Sequence, residues 1–263
     1  MSNWIQSDLT PALEWRDVTL DLGEFAIRDV SLRLEPRTWM CVIGPTGAGK
    51  TLVLEIAAGF LRPTRGQVFR GGENITRVPP ERRRIAYIPQ DDLLFPHLDV
   101  RANLLYGSRG EREELEHRLH SVAADLRISH LLDRRVHVIS GGEAQRVALG
   151  RGLLADADVL LLDECTSALD EETREIVGDF LLEQRSQREI SVIHVTHDSA
   201  EAERLADVTV TMAAGRITRI ETNDQGPGRG RSEPGAPAPL VLQVPQVSRK
   251  HSRNPQLGEK IWQ

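Results

Sequence analysis

The chain contains Gly44-Pro45-Thr46-Gly47-Ala48-Gly49-Lys50-Thr51, which fits the pattern G-x-x-x-x-G-K-[ST] without a mismatch. The apolar run at residues 40–43 before it predicts a buried strand, and residues 52–58 behind it predict a helix that stops at Gly59. Strand, glycine loop and helix are the context in which this motif binds phosphate. The glycines allow backbone N–H groups to turn toward one point, where the positive end of the helix dipole also lies. The sequence therefore predicts a site for a nucleoside triphosphate.

Two side chains at the end of this loop carry specific chemistry. Lys50 is expected to reach the β- and γ-phosphates, and the Thr51 hydroxyl is expected to ligate Mg²⁺. A glycine-rich turn between a strand and a helix is the plainer alternative. The Lys-Thr pair at this spacing favours the phosphate loop over that alternative.

A second apolar run, residues 159–162, ends in the carboxylates Asp163 and Glu164. Ligands of open α/β sheets bind at the carboxyl ends of the strands. Asp163 is therefore expected to hold Mg²⁺, directly or through water, and Glu164 to orient an attacking water or take its proton. The alternative is a pair of carboxylates that only caps the following helix.

The run Ser140-Gly141-Gly142-Glu143 has the form of a capping box, with Ser140 as N-cap and Glu143 three positions later. A capping box does not explain two consecutive glycines, because glycine lowers helix stability. Glycines do leave the N–H groups of a helix N-terminus open to a ligand, and such a terminus binds anions. Two anion sites far apart in one chain suggest that one phosphate is held between two copies.

The composition limits the remaining functional classes. The chain has 263 residues, a hydrophobic content of 40% and a net charge of −6, which argues against a protein that coats nucleic acid. Its two cysteines, Cys41 and Cys165, form neither a disulfide framework nor a metal-ligand spacing, and they suit a reducing cytosol. No signal peptide is expected, and no apolar run approaches the roughly 20 residues of a membrane helix. A membrane role is therefore expected to come through a partner.

The rest of the chain predicts alternating strands and helices. Further strands are expected at residues 13–22, 27–34, 66–72, 84–90 and 190–196, with a last hairpin at 208–212 and 217–221. Further helices are expected at residues 100–106, 111–126, 142–154, 171–184 and 198–205. The strands at 13–22 and 27–34 predict an antiparallel pair. Strands that alternate with helices predict a mainly parallel sheet covered on both faces.

The motifs and their order resemble the nucleotide-binding subunit of an ABC transporter over about residues 12–222. This resemblance implies an α/β fold: a P-loop NTPase core with a mainly parallel sheet, an antiparallel β subdomain and an inserted α-helical subdomain. The expected ATPase domain is residues 1–222, with the helical subdomain at about 91–155. Residues 223–263 are rich in Gly and Pro and are expected to be a disordered tail.

The resemblance also assigns roles by position. Gln90 matches the glutamine that touches Mg²⁺ and the nucleophilic water, and His197 matches the switch histidine. The Ser140–Glu143 run matches the signature motif with Glu in place of the commoner Gln, and residues 167–170 match the loop that crosses the dimer interface. The implied catalytic residues are Lys50, Gln90, Glu164 and His197. The implied metal ligands are Thr51, Gln90 and Asp163, and the implied ATP contacts are the eight residues of the phosphate loop together with Ser140, Gly141, Gly142 and Glu143.

In the family that the chain resembles, two subunits close head to tail around ATP, and hydrolysis lets them part. The implied cofactors are ATP and Mg²⁺. The implied partners are a second ATPase subunit, integral membrane permease subunits and, indirectly, a periplasmic or extracellular solute-binding protein, with no nucleic acid. The expected location is the cytoplasm, peripheral on the inner face of the cell membrane. Residues 84–107 look most similar to importers of the molybdate branch, which implies an oxyanion solute.

A soluble ABC-type ATPase clamp that acts on DNA or another macromolecule is the alternative function. Such clamps insert long coiled coils between the phosphate loop and the signature motif. The corresponding stretch here holds no sustained heptads, which favours the transporter.

Two positions depart from the family pattern. The family usually has an aromatic residue that stacks on adenine just before Gly23, and this chain has Leu22, with Phe25 displaced by three positions. Cys165 replaces the proline that usually follows the catalytic glutamate. Both a redox role and a role as a small core residue are open for Cys165.

Overall fold

The computed structural model describes residues 10–91, 94–166, 169–187 and 190–223. The strands in these ranges are β1 (Leu13–Asp21), β2 (Ala26–Leu34), β3 (Trp39–Ile43), β4 (Arg65–Arg70), β5 (Glu73–Asn74), β6 (Ile85–Ile88), β7 (Val159–Asp163), β8 (Ser191–Val195), β9 (Val208–Ala213) and β10 (Arg216–Thr222). The α-helices are α1 (Lys50–Ala58), α2 (Val100–Leu104), α3 (Arg112–Asp125), α4 (Gly141–Leu154), α5 (Glu171–Gln187) and α6 (Ser199–Leu205).

The smaller sheet is antiparallel and has the strand order β2-β1-β4-β5. The predicted pairing of the first two strands is confirmed, with Leu13 opposite Leu34 and Leu20 opposite Ile27. These side chains are buried, while Asp21 and Arg28, directly beside Leu20 and Ile27, are exposed. One face of this sheet therefore packs on the core.

The larger sheet has the strand order β10-β9-β3-β8-β7-β6. Strands β9, β3, β8, β7 and β6 run parallel, and only the terminal strand β10 is antiparallel. Every residue of β7 and β8 is buried, because helices cover both faces of a parallel sheet. The predicted α/β fold with a mainly parallel sheet is confirmed.

This strand order brings four chain segments to one edge of the sheet. The carboxyl ends of β3, β8, β7 and β6 are neighbours, because the strands are adjacent and parallel. The segments that follow them begin at Gly44, Thr196, Glu164 and Pro89, respectively. Segments that are far apart in sequence thus meet where α/β proteins bind ligands.

Helices α2, α3 and α4 pack on one another through apolar side chains. Leu104, Leu119 and Leu126 are fully buried between them, and a Cβ added to Gly150 on α4 would lie 2.6 Å from the Leu104 side chain. Glycine at this position therefore permits the close approach of α2 and α4. The boundaries predicted for a helical subdomain (91–155) and an ATPase domain (1–222) stay predictions, and the tail predicted at 223–263 lies almost wholly outside the described residues.

The hairpin of β9 and β10 touches both the phosphate loop and the antiparallel sheet. The Gly215 N–H donates to the Ala48 carbonyl at 3.0 Å, and the Arg28 N–H donates to the Gly215 carbonyl at 2.9 Å. Gly215 has φ +73°, and a Cβ there would lie 1.9 Å from the Ala26 carbonyl oxygen. Only glycine fits at this contact.

Candidate active site

The phosphate loop lies between β3 and α1, as the motif predicted. Gly44, Gly47 and Gly49 all have positive φ, and a Cβ on Gly44 would lie 2.2 Å from the Met212 carbonyl oxygen. Helix α1 begins at Lys50, directly after Gly49, and no side chain caps its N-terminus. An uncapped helix start behind a glycine loop presents N–H groups to an anion.

The Lys50 ammonium lies between the phosphate loop and Glu164. Lys50 is only 5% exposed. Its Nζ donates to the carbonyl oxygens of Gly44 at 3.0 Å and Pro45 at 3.3 Å, and it lies 3.6 Å from Glu164 Oε1. A cation held at this point can contact a phosphate on the loop and the carboxylate opposite it.

Two hydroxyls hold the Asp163 carboxylate at the end of β7. The Thr51 Oγ1 donates to Oδ1 at 3.1 Å, and the Tyr87 hydroxyl donates to Oδ2 at 2.9 Å. Asp163 is 2% exposed, and this burial raises its pKa, although the two hydrogen bonds act in the opposite direction. Burial and the adjacent Asp163 charge also raise the pKa of the Tyr87 hydroxyl, which keeps it protonated and a donor.

Thr51 and Asp163 place hard oxygen donors at one point, which is the ligand type that Mg²⁺ prefers. Magnesium usually takes one or two protein ligands and completes its shell with water and substrate phosphates. Among the described residues, no group of three or more His, Cys, Asp and Glu side chains suits a metal ion. As two oxygen ligands, Thr51 and Asp163 fit magnesium that is bound together with a nucleotide.

Glu164 and His197 face each other across the ends of β7 and β8. His197 Nδ1 lies 3.9 Å from Glu164 Oε2, and the His197 side chain is 64% exposed. The Glu164 backbone has φ +49°, and its N–H donates to the Val195 carbonyl at 3.0 Å. This turn directs the Glu164 side chain toward Lys50 rather than along the strand. The arrangement gives a carboxylate within reach of both a buried cation and an accessible imidazole.

Gln90 lies at the same edge, two residues beyond the end of β6, and is exposed. It makes no hydrogen bond with the other candidate site residues in the part of the chain that the structure describes. Ser167 and Ala168, from the loop expected to cross the interface, lie outside the described residues.

The Ser140–Glu143 run starts helix α4 with a complete capping box. The Ser140 Oγ accepts from the Glu143 N–H at 3.3 Å, and Glu143 Oε2 accepts from the Ser140 N–H at 2.8 Å. The hydrogen bonds that the Ser140 N–H and the Ser140 hydroxyl donate to the Glu143 carboxylate lower its pKa, with a smaller contribution from Arg146. Nothing lies within 4 Å of a Cβ built on Gly141, which is exposed. No described hydrogen bond or ion pair joins this run to the phosphate loop of the same chain.

Cys165 is buried beneath this site. Burial, with the nearby Glu201 charge, raises the pKa of its thiol. A thiol that stays protonated is a poor nucleophile and oxidises slowly. The structure therefore favours the interpretation of Cys165 as a core residue over a redox handle.

Two contacts to Asp163 and Glu164 were not anticipated from the sequence. Tyr87 sits on β6, and the Val195 carbonyl that accepts from Glu164 sits on β8. Both strands neighbour β7, so these contacts follow from the strand order, for which the sequence carries no signal.

The position expected to hold an aromatic residue for adenine carries an exposed leucine. Leu22 is 52% exposed, and its N–H donates to the Phe25 carbonyl at 2.9 Å in a tight turn. The Phe25 ring instead packs beside the phosphate loop, 3.2 Å from a Cβ built on Gly49. The loop therefore has an aromatic neighbour, but on the far side of the turn from Leu22.

We expect comparable affinities for ATP and GTP, because Leu22 offers no ring to select adenine by stacking. Competition of each nucleotide against a fluorescent ATP analogue measures both dissociation constants. A strong preference for ATP would contradict this prediction. A preference lost in Phe25→Ala would assign adenine selection to Phe25 instead.

Comparison with known proteins supports the resemblance. A family model described as "ABC transporter" matches residues 27–167. The chain is 47% identical to the molybdate/tungstate import ATP-binding protein WtpC of Archaeoglobus fulgidus, over 69% of this chain and 76% of that protein. It is 38% identical to the maltose/maltodextrin import ATP-binding protein MalK of Yersinia pestis, over 75% of this chain and 55% of that protein. The chain spans only 61% to 62% of the length of other relatives named as molybdate/tungstate import ATP-binding proteins.

A solved structure extends this agreement to the fold. A dimeric ATP-binding cassette in a post-hydrolysis state, bound to ADP and Pi, matches with a TM-score of 0.72 and 26% identity, over 83% of this chain and 100% of that one. Among the described residues, no helix is both long enough and apolar enough to cross a membrane. The chain belongs to the ABC transporter family, as one of its ATP-hydrolysing cassettes.

Proposed function

We propose that this chain powers a solute importer by closing, as a pair of copies, around ATP bound at the phosphate loop. One observation carries the proposal. Lys50, Asp163, Glu164 and His197 meet at one edge of the sheet, whereas the Ser140 helix start is exposed and has no described bond to that edge. The chain thus carries both parts of a phosphate-binding site, but no described bond connects the two parts within one chain.

In the proposed reaction, the phosphate loop and Lys50 bind the triphosphate and balance its charge. Thr51, Asp163 and Gln90 would hold Mg²⁺, which would supply neutralisation of the phosphate charge. Glu164 orients the attacking water and takes its proton, because its carboxylate lies next to the phosphate loop without being fully buried. His197, 3.9 Å from that carboxylate, contacts the γ-phosphate side of the site.

The partner copy would supply the missing donors in this proposal. Its Ser140, Gly141 and Gly142 face the γ-phosphate from the opposite side, with helix α4 adding its positive end. Hydrolysis removes the γ-phosphate that both copies contact. The closed form is then no longer lower in free energy than the open form. The ATPase domain would comprise residues 1–222, and the segment 223–263 would be a tail outside it.

We assign a molybdate-type oxyanion as the solute. The support is the higher identity to an import protein named for molybdate and tungstate than to one named for maltodextrin. The partners would be integral membrane permease subunits and, through them, a periplasmic or extracellular solute-binding protein. The chain would then work in the cytoplasm, on the inner face of the membrane.

Reconstitution of the chain with its permease in vesicles tests this assignment. Binding protein loaded with molybdate or tungstate is expected to stimulate ATP hydrolysis, and binding protein loaded with sulfate or maltose is not. Stimulation by maltose alone would overturn the solute, and failure to bind any permease would overturn the transport role.

The alternative of a clamp on DNA is not favoured. The net charge is −6, and the relatives are import ATP-binding proteins. No nucleic-acid partner is proposed.

A further inference from the structure

A buried carboxylate on α6 links the two segments that carry Glu164 and His197. Glu201 is 8% exposed, and its Oε2 accepts a hydrogen bond from the Thr196 hydroxyl at 2.7 Å and from the Thr166 hydroxyl at 3.1 Å. Both threonines are themselves buried, at 2% and 3% exposure. One oxygen atom therefore joins the chain after β7 to the chain after β8.

The two threonines flank the proposed catalytic side chains. Thr166 is two residues after Glu164, and Thr196 directly precedes His197. Thr196 is held further by its N–H, which donates to the Val42 carbonyl of the strand before the phosphate loop at 3.2 Å. A shift at either threonine would therefore change the distance between Glu164 and His197.

Within the described residues, the ion-pair contact of the Glu201 carboxylate is with His194 on β8, whose Nε2 lies 3.8 Å from Oε2. Burial lowers the pKa of His194, although the Glu201 charge opposes this effect, so the imidazole is neutral. The thiol of Cys165 is also neutral and buried. The two hydroxyls are thus the described hydrogen-bond donors to this carboxylate oxygen.

We propose that Glu201 is a positioning residue for ATP hydrolysis: through Thr166 and Thr196 it holds Glu164 and His197 at the separation that the reaction needs. The inference rests on the proposed role of Glu164 and His197. It predicts an effect on the chemical step and not on nucleotide binding, because the phosphate loop has its own contacts. A misplacement of about 1 Å at a reacting group can cost about a hundredfold in rate.

The experiment separates the hydroxyl from the shape of each threonine. Thr196→Val and Thr166→Val keep the branched shape and remove the hydroxyl, whereas Thr196→Ser and Thr166→Ser keep the hydroxyl. We expect kcat to fall roughly tenfold or more in the valine variants. The serine variants should recover most of this loss, and the dissociation constant for a fluorescent ATP analogue should stay within about twofold in all four.

Thr76→Val is the matched control. Thr76 is half-buried in the turn after β5, and its hydroxyl accepts from the Val68 N–H at 2.9 Å and donates to Asn74 Oδ1 at 2.7 Å. Its loss should lower thermal stability without changing kcat. If each valine variant hydrolysed ATP like its serine counterpart, or if affinity fell in parallel with kcat, the positioning role would be wrong.

The proposed role of Glu164 in ATP hydrolysis is tested separately from the role of Glu201. Glu164→Gln, assayed beside these variants, should abolish turnover. If it does not, the proposed function fails. If Glu164→Gln abolishes turnover while both valine variants hydrolyse ATP normally, only the role of Glu201 fails.

Discussion

Replacing Glu164 with Gln is expected to stop ATP hydrolysis and leave two chains closed around intact ATP. The glutamine has the same size and can keep the unusual backbone at φ +49°, but it cannot accept the proton of the attacking water. Loss of a general base costs about a hundredfold to ten-thousandfold in rate. In this mechanism the two chains separate only after hydrolysis, so the closed pair should accumulate. Size-exclusion chromatography with light scattering, run on the variant in ATP and Mg²⁺, should give the mass of two chains.

Glu175→Gln provides the control for this experiment. Glu175 is an exposed residue of α5, and the same change there should leave both turnover and the wild-type oligomeric behaviour in place. A Glu164→Gln variant that binds ATP and stays a single chain would contradict closure around the nucleotide. One that dimerises without nucleotide would contradict the ATP dependence.

Mixing two inactive variants is expected to restore ATP hydrolysis. Lys50→Ala removes the cation of the phosphate loop, and Gly141→Asp places a negative charge where the partner's phosphate is expected. The aspartate should not disturb folding, because nothing lies within 4 Å of a Cβ there and a carboxylate suits the first turn of a helix. Each variant alone should lose nearly all turnover.

A symmetric head-to-tail pair makes the outcome of mixing quantitative. In a pair with one chain of each kind, one site combines an intact phosphate loop with an intact signature helix, and the other site has both defects. Random pairing makes half of the dimers mixed, so up to about a quarter of wild-type activity should return. A site built within one chain would give no recovery on mixing. Circular dichroism melts of both variants establish that each is folded.

The fold was predictable because its signals are local. The glycine spacing around Lys50 and the apolar runs before Gly44 and Asp163 each depend on a few consecutive residues, and the structure confirms the strands and helices they predict. Helix ends were equally clear where Gly59 and the Ser140 capping box mark them. Strand order was not predictable, because nothing in the sequence of β3 or β8 indicates that they are neighbours.

The hydrogen bonds that hold the site together depend on that strand order. Tyr87 and Asp163 are 76 residues apart, and Thr166 and Glu201 are 35 apart. Each of these residues alone fits a common position in an ordinary strand or helix, so no spacing pattern predicts the pair. The sequence could therefore name Glu164 and His197 as candidates, but only the packed structure indicates what sets their separation.

The contact of Gly215 with the Ala48 carbonyl has a consequence for the order of events during synthesis. The phosphate loop is made before the β9–β10 hairpin, whose Gly215 and Met212 backbone groups contact it. The hairpin must therefore leave the ribosome before the loop can acquire its finished shape. Nucleotide binding by a nascent chain would consequently report that this hairpin has emerged, and a product that ends before the hairpin would not compete for ATP.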